Sequence, residues 1–140
     1  MQFGLNHGNF GWGGDGFFLW DHVNIAGVGG CHADPWVALG VIATQTRRLL
    51  LGTAVTPLSR RRPAKLAQEV LTLDALSGGR FVLGVGSGGG DASEYDDLGE
   101  ARDLRVRAEM LDEGLEVLAG LLSGAPVAVE RRHCRGRTED

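Results

Sequence analysis

Residues 49–90 read LLLGTAVTPLSRRRPAKLAQEVLTLDALSGGRFVLGVGSGGG. The stretch opens on an apolar run, Leu49 to Val55, with little polar alternation, as expected of a parallel strand covered on both faces. Thr56-Pro57 closes that run. Pro63 suits the first position of a helix, and Leu66, Ala67, Val70, Leu71, Leu73 and Leu76 follow at helical spacing up to a Gly78-Gly79 stop. A second apolar run, Arg80 to Val85, ends in glycines. Strand, helix and strand in this order form one unit of a parallel sheet. Both strands end in hydroxyl-bearing or glycine residues, which let a flat ligand approach the backbone.

The same alternation extends outward in both directions. Upstream, Gln2 to Asn6 and Phe17 to Trp20 read as short strands, the second closed by Asp21-His22. A glycine-rich loop over 23–33 leads to Asp34, a good N-cap, and Pro35, a good first helical residue. Trp36, Leu39, Gly40 and Ala43 then share one face of a helix predicted over about 35–46. Downstream, a long amphipathic helix is predicted from Arg102 to Leu122, with Val106, Met110, Leu111, Leu115, Leu118 and Leu122 on its apolar stripe. Beyond Gly124 the pattern weakens. Val127 to Val129 reads as a short strand, and RRHCRGRTED as a solvated tail. This divides the chain into a main domain over 1–124 and a weakly structured tail over 125–140.

Composition narrows the class. The chain has 140 residues, 43% apolar and 23% charged, enough to bury a core. A net charge of −4 gives no electrostatic reason to expect nucleic acid or an anionic membrane as partner. Cys31 and Cys134 have no framework spacing, so a reduced cytoplasmic protein is expected. The opening residues carry no signal-peptide pattern, and every apolar run is too short to span a bilayer. The 23 glycines cluster at the predicted strand ends, where the ligand loops of a parallel α/β protein lie. One spacing is anomalous. Only about ten residues, half of them glycine, separate the first two strands, where a parallel crossover takes roughly a dozen or more. The first crossover helix is therefore missing.

The chain resembles the bacterial luciferase-like monooxygenase family, flavin- or F420-dependent oxidoreductases built on a TIM barrel. The matching residues are FGL near the start, WDH at 20–22, ADPWVAL at 33–39, LLLGTAVTPLSRRRPAKLAQE at 49–69, TLDALSGGRFVLGVGSG at 72–88 and RAEMLDEGLEVL at 107–118. The resemblance implies a partial (β/α)8 barrel of about four βα units, since a whole barrel takes about 250 residues. It implies hydride transfer or oxygen activation on a small organic substrate, with FMN or coenzyme F420 as cofactor. His22 is the implied catalytic residue, and Asp21 lies with it near the cofactor ring. Ala54-Val55 falls where many members have a non-prolyl cis peptide behind that ring, with Thr56 beside it. Ser87 and Gly88 end the fourth strand and line the cofactor face. A sugar-phosphate dehydrogenase branch carries a glutamate just after that strand; Gly89 in its place argues against that branch. The missing half also supports another expectation, a truncated, non-catalytic half-barrel that persists only as an oligomer or an unstable remnant.

Several sharper motifs yield to blander readings. Gly84, Gly86 and Gly89 satisfy G-x-G-x-x-G, but the dinucleotide motif needs a helix opening at its third glycine. Arg60-Arg61-Arg62 reads as a solvated run before a helix, its sign wrong for an N-terminal dipole. Cys31-His32 and His133-Cys134 lack the two-to-four-residue gap of a zinc site, so no metal is expected. Asp96, Asp97, Glu100 and Asp103 read as a solvated face preceding a helix.

Overall fold

The computed structural model describes residues 16–23, 33–89 and 92–138. The strand expected over Gln2–Asn6, the Cys31-His32 pair and most of the glycine-rich loop lie outside them. Three strands form a parallel sheet in the order β1 (Gly16–Leu19), β2 (Leu50–Thr53), β4 (Phe81–Val82), with Leu51 facing Phe17 on one side and Phe81 on the other. A second parallel pair continues beyond them, β3 (Thr56–Pro57) against β5 (Val85–Gly86).

The expected strand over Arg80–Val85 is thus two strands, and β2 and β3 break at the same level. Thr53 fills the break. Its hydroxyl donates to Gly84 O at 2.8 Å and accepts from Gly84 N at 3.2 Å. The chains approach so closely that a Cβ on Gly84 would lie 2.2 Å from Thr53 O, and one on Gly52 2.0 Å from Val82 O.

Helices cover one side. In α1 (Pro35–Gln45), Asp34 accepts from Val37 N, while Trp36, Leu39 and Ala43 are buried. In α2 (Pro63–Ser77), Leu66, Ala67 and Leu73 are buried, and the left-handed Gly78 (φ 66°) ends the helix. Leu71 and Leu76, placed on its inner stripe from sequence, are exposed. The core joins Leu19, Leu39, Leu51, Leu58, Leu66, Leu73 and Leu118; burying each such side chain favours folding by roughly 1.5–3 kcal/mol.

A 3-10 turn (Leu58–Arg60) and a short α3 (Ala92–Tyr95) precede α4 (Leu104–Ser123), which Asp103 caps. The face of α4 differs from the sequence expectation. Arg107, Gly114, Val117 and Leu118 are buried, whereas Leu115 and Leu122 are exposed. Gly114 marks the inward face: a Cβ there would meet Leu58 at 2.9 Å, so α4 packs tightly here on the turn before α2.

Residues expected to form a solvated tail instead include a hairpin, β6 (Ala128–Glu130) antiparallel to β7 (Arg135–Arg137). Glu113 on α4 accepts from the main-chain N–H of His133 at 2.7 Å and of Cys134 at 3.0 Å, and His133 Nε2 lies 3.1 Å from Glu109. The hairpin therefore docks on α4 through backbone groups and carboxylates. No helix among the described residues is long and apolar enough to cross a membrane.

Candidate functional site

The C-terminal ends of β1 and β2 and the β3–β5 pair meet at one place. Ala54 N donates to Leu19 O at 2.9 Å, and Thr56 N to Gly84 O at 2.8 Å. The Ala54–Val55 peptide bond is cis, at the position where the resemblance implies one. Val55 is 44% exposed and packs on the glycine strand, where a Cβ on Gly86 would stand 3.0 Å from its Cγ2. The result is an apolar platform over backbone. From Leu19 the chain runs on into Trp20, Asp21 and His22. Trp20 is half exposed, and its ring meets the imidazole edge-on at 5.6 Å.

His22 is one-third exposed, with its Nδ1 2.9 Å from Oε2 of a fully buried Glu94. The other oxygen of Glu94 accepts from Val23 N at 2.7 Å and lies 3.4 Å from Arg60 Nη1. Arg60 also donates to the main-chain oxygen of Asp21. The imidazole thus has one nitrogen bound inward while part of the ring faces solvent.

The other expected site residues divide. Ala54, Val55, Ser87 and Gly88 are all at least partly exposed around the strand ends. Ser87 is anchored through its carbonyl, which accepts from Ser59 Oγ at 3.1 Å, and Gly88 has φ 91°. The Asp21 carboxylate, in contrast, is buried against Arg61 and the Trp36 indole, which donates at 3.1 Å. Thr56 is fully buried, and its hydroxyl has no partner among the described residues. Neither side chain reaches the surface of the site.

Four residues were not expected here. Arg60 and Arg61, read as solvated, turn inward onto Glu94 and Asp21, and only Arg62 of the run is exposed. Glu94 was not singled out. Arg107 is buried over the Tyr95 ring at 3.8 Å and donates to Gly89 O at 2.8 Å, which fixes the loop after β5. The only sequence signal for these pairs is an arginine run with acidic residues elsewhere in the chain; nothing local marks either as buried. Among the described residues no group of three or more His, Cys, Asp or Glu side chains is placed to hold a metal ion.

The apolar, glycine-backed platform and the carboxylate-held histidine thus lie at the strand ends of a parallel α/β sheet, the edge at which open α/β folds in general bind their ligands. The sequence profile of the family described as luciferase-like monooxygenase matches residues 12–139, and the chain belongs to that family. It is 35% identical over 128 residues to an F420-dependent glucose-6-phosphate dehydrogenase of Nakamurella multipartita, covering 88% of this chain and 37% of that protein. An F420-dependent secondary alcohol dehydrogenase, solved with an F420–acetone adduct, superposes with a TM-score of 0.76 at 27% identity, over 88% of this chain and 38% of that one. A type II Baeyer–Villiger monooxygenase from the CAM plasmid of Pseudomonas putida, solved with FMN, shares the fold at a TM-score of 0.73 and 21% identity, over 90% of this chain and 35% of that one. The chain spans little more than a third, 35–38%, of the length of three F420-dependent glucose-6-phosphate dehydrogenases among the curated relatives it matches. Position 89, where the resemblance implies a glutamate in the sugar-phosphate branch, is glycine here, and the carboxylate beside His22 comes from Glu94, five residues later.

Proposed function

We propose that the chain supplies about four strand–helix units of a (β/α)8 barrel plan and acts as an F420- or FMN-dependent oxidoreductase on a small organic substrate. The observation that carries this reading is His22, partly exposed beside the strand ends and held through Nδ1 by buried Glu94. The residues present suit a flat ring: Val55 offers an apolar face, and Gly84 and Gly86 keep the backbone behind it close. Ala54, Ser87 and Gly88 border the same place. When bound, such a cofactor supplies the hydride or oxygen chemistry, and the protein's part is to bind, orient and shield. Relatives named for F420 at 35–37% identity support F420 as the first candidate.

His22 takes or gives the proton at Nε2, a task suited to an imidazole near neutral pH. Asp21 and Arg61 hold the strand end that carries it and do not touch the ligand. Trp20 walls the outer side of the imidazole and keeps water from that edge.

Titration of the purified chain with FMN and with F420, followed by cofactor fluorescence, tests this reading. Saturable binding at micromolar concentration is expected, weakened by Val55→Asp. A folded, monodisperse chain that binds neither cofactor overturns it.

A further inference from the structure

We infer that Glu94 is the positioning residue of this site: it holds His22 in the Nδ1–H tautomer and leaves Nε2 as the proton acceptor. This rests on reading His22 as the proton-handling group.

The argument starts from what Glu94 accepts. Oε1 takes the main-chain N–H of Val23 at 2.7 Å and lies 3.4 Å from the Arg60 guanidinium; Oε2 lies 2.9 Å from His22 Nδ1. Main-chain N–H and guanidinium groups only donate, so Oε1 is an acceptor, and an ionised carboxylate has no proton to give at Oε2. Nδ1 must then be the donor. In a neutral imidazole that leaves the lone pair on Nε2.

Burial makes the arrangement strict. The Glu94 side chain is 1% exposed and that of Arg60 6%. Water therefore has little access through which to offer Nδ1 a different partner. Arg60 closes the frame, since it bonds both the Glu94 carboxylate and the carbonyl of Asp21, the residue before His22. Among the described residues, the Glu94 carboxylate on α3 faces the imidazole, Arg60 on the 3-10 turn backs that carboxylate, and Asp21, the residue before His22, is paired to Arg61. When a proton arrives at Nε2, the imidazolium charge faces the Glu94 carboxylate, and no other group need change protonation.

Long-range proton–nitrogen correlation spectra of the 15N-labelled chain, at a pH of about 8 where an unperturbed imidazole is neutral, read the tautomer directly and without cofactor. The expected result is Nδ1–H for His22 in the wild type and a shift toward Nε2–H in Glu94→Gln. A wild-type spectrum showing Nε2–H overturns the inference, whatever any variant does. In the cofactor-loaded protein, Glu94→Gln lowers kcat by about 100-fold, leaves KM within about threefold, and Glu94→Asp recovers part of the loss. Unchanged kcat in Glu94→Gln also overturns it. His22→Asn separates this inference from the reading beneath it. If that variant turns over like the wild type, His22 is not the proton carrier, while the tautomer spectrum still judges Glu94.

Discussion

Arg61 grips Asp21 in a fork: Nη2 stands 2.8 Å from both Oδ1 and Oδ2, and Nε 3.1 Å from Oδ2. The two residues are forty apart in the chain, and the guanidinium also lies over the Trp36 ring at 5.6 Å. The pair joins the end of β1 to the start of α2 across the N-terminus of α1. Asp21→Ala strands a partly buried guanidinium and an indole N–H. The pair is neither at the surface nor fully enclosed, so the cost falls at about 2–3 kcal/mol, between the ranges for the two cases. Urea unfolding of Asp21→Ala and Asp21→Asn measures it, with the smaller loss expected for asparagine. Cofactor affinity of the Asp21→Asn chain is expected to stay within about threefold of wild type, as befits a group that does not touch the ligand.

Arg80 makes the second prediction. Its guanidinium donates to Ala43 O and Thr46 O at 2.9 Å, to Leu49 O at 2.5 Å, to Ser77 O at 2.6 Å and to Thr46 Oγ1 at 3.0 Å. The carbonyls of Ala43, Thr46 and Ser77 lie at the C-terminal ends of α1 and α2, where helices leave acceptors unpaired, and that of Leu49 lies just before β2. Arg80→Ala is expected to cost about 2–3 kcal/mol by urea midpoint. Arg80→Lys recovers little, because a single ammonium cannot span the set that a planar fork reaches.

Two glycine-to-alanine substitutions should move stability in opposite directions. Gly40 lies inside α1, and a Cβ there would sit 3.9 Å from Leu73 Cδ2, an ordinary contact. Gly40→Ala is expected to gain about 0.5–1 kcal/mol from helix propensity. Gly52→Ala drives a methyl into Val82 O across β2 and β4, and loss of soluble folded chain is expected. Thermal melts of the two variants beside the wild type check both signs.

Cys134 provides a pH prediction. Burial, and secondarily the Glu113 carboxylate, push its thiol above the ordinary value. The folded chain then keeps this proton to a higher pH than the unfolded chain does. The contribution to stability is full below the unfolded thiol's value and is lost as pH rises through the folded one. Urea midpoints over a pH range of about 7–10 should fall more for wild type than for Cys134→Ser. In a Cys31→Ser background, alkylation of Cys134 should quicken only above the ordinary thiol range, and earlier in Glu113→Gln.

The helices were legible in the sequence because their signals are local. Asp34-Pro35 and Pro63 with Gly78 mark ends through backbone rules that involve no distant partner. Leu51, Leu66 and Leu39 were readable as core because period and composition agree. Arg60, Arg61, Arg107 and Glu94 were not, since an isolated charge belongs at the surface and only a partner elsewhere in the chain reverses that. For Glu94 that partner, His22, is 72 residues away. The face of α4 was misjudged for a related reason: its apolar residues surround much of the helix, and the tie is broken by Gly114, whose message is an absence of side chain. The second strand of the hairpin, Arg135–Arg137, carries no apolar alternation, and its order comes from β6 and from carboxylates on α4. At the site, the location of His22 and the cis bond at Ala54–Val55 were legible through family resemblance, but the direction of the Asp21 carboxylate was not.

The span between His22 and Glu94 has a consequence for how the chain acquires its site. Closing a loop of that length costs entropy that only already-formed structure offsets. The stretch between them holds β2, α1 and α2, whose local contacts assemble without it. The imidazole therefore gains its partner after those elements have docked. In a refolding experiment, the His22 ring signal is a clock for completion: it changes when α3 arrives, while helical circular dichroism reports the earlier stages.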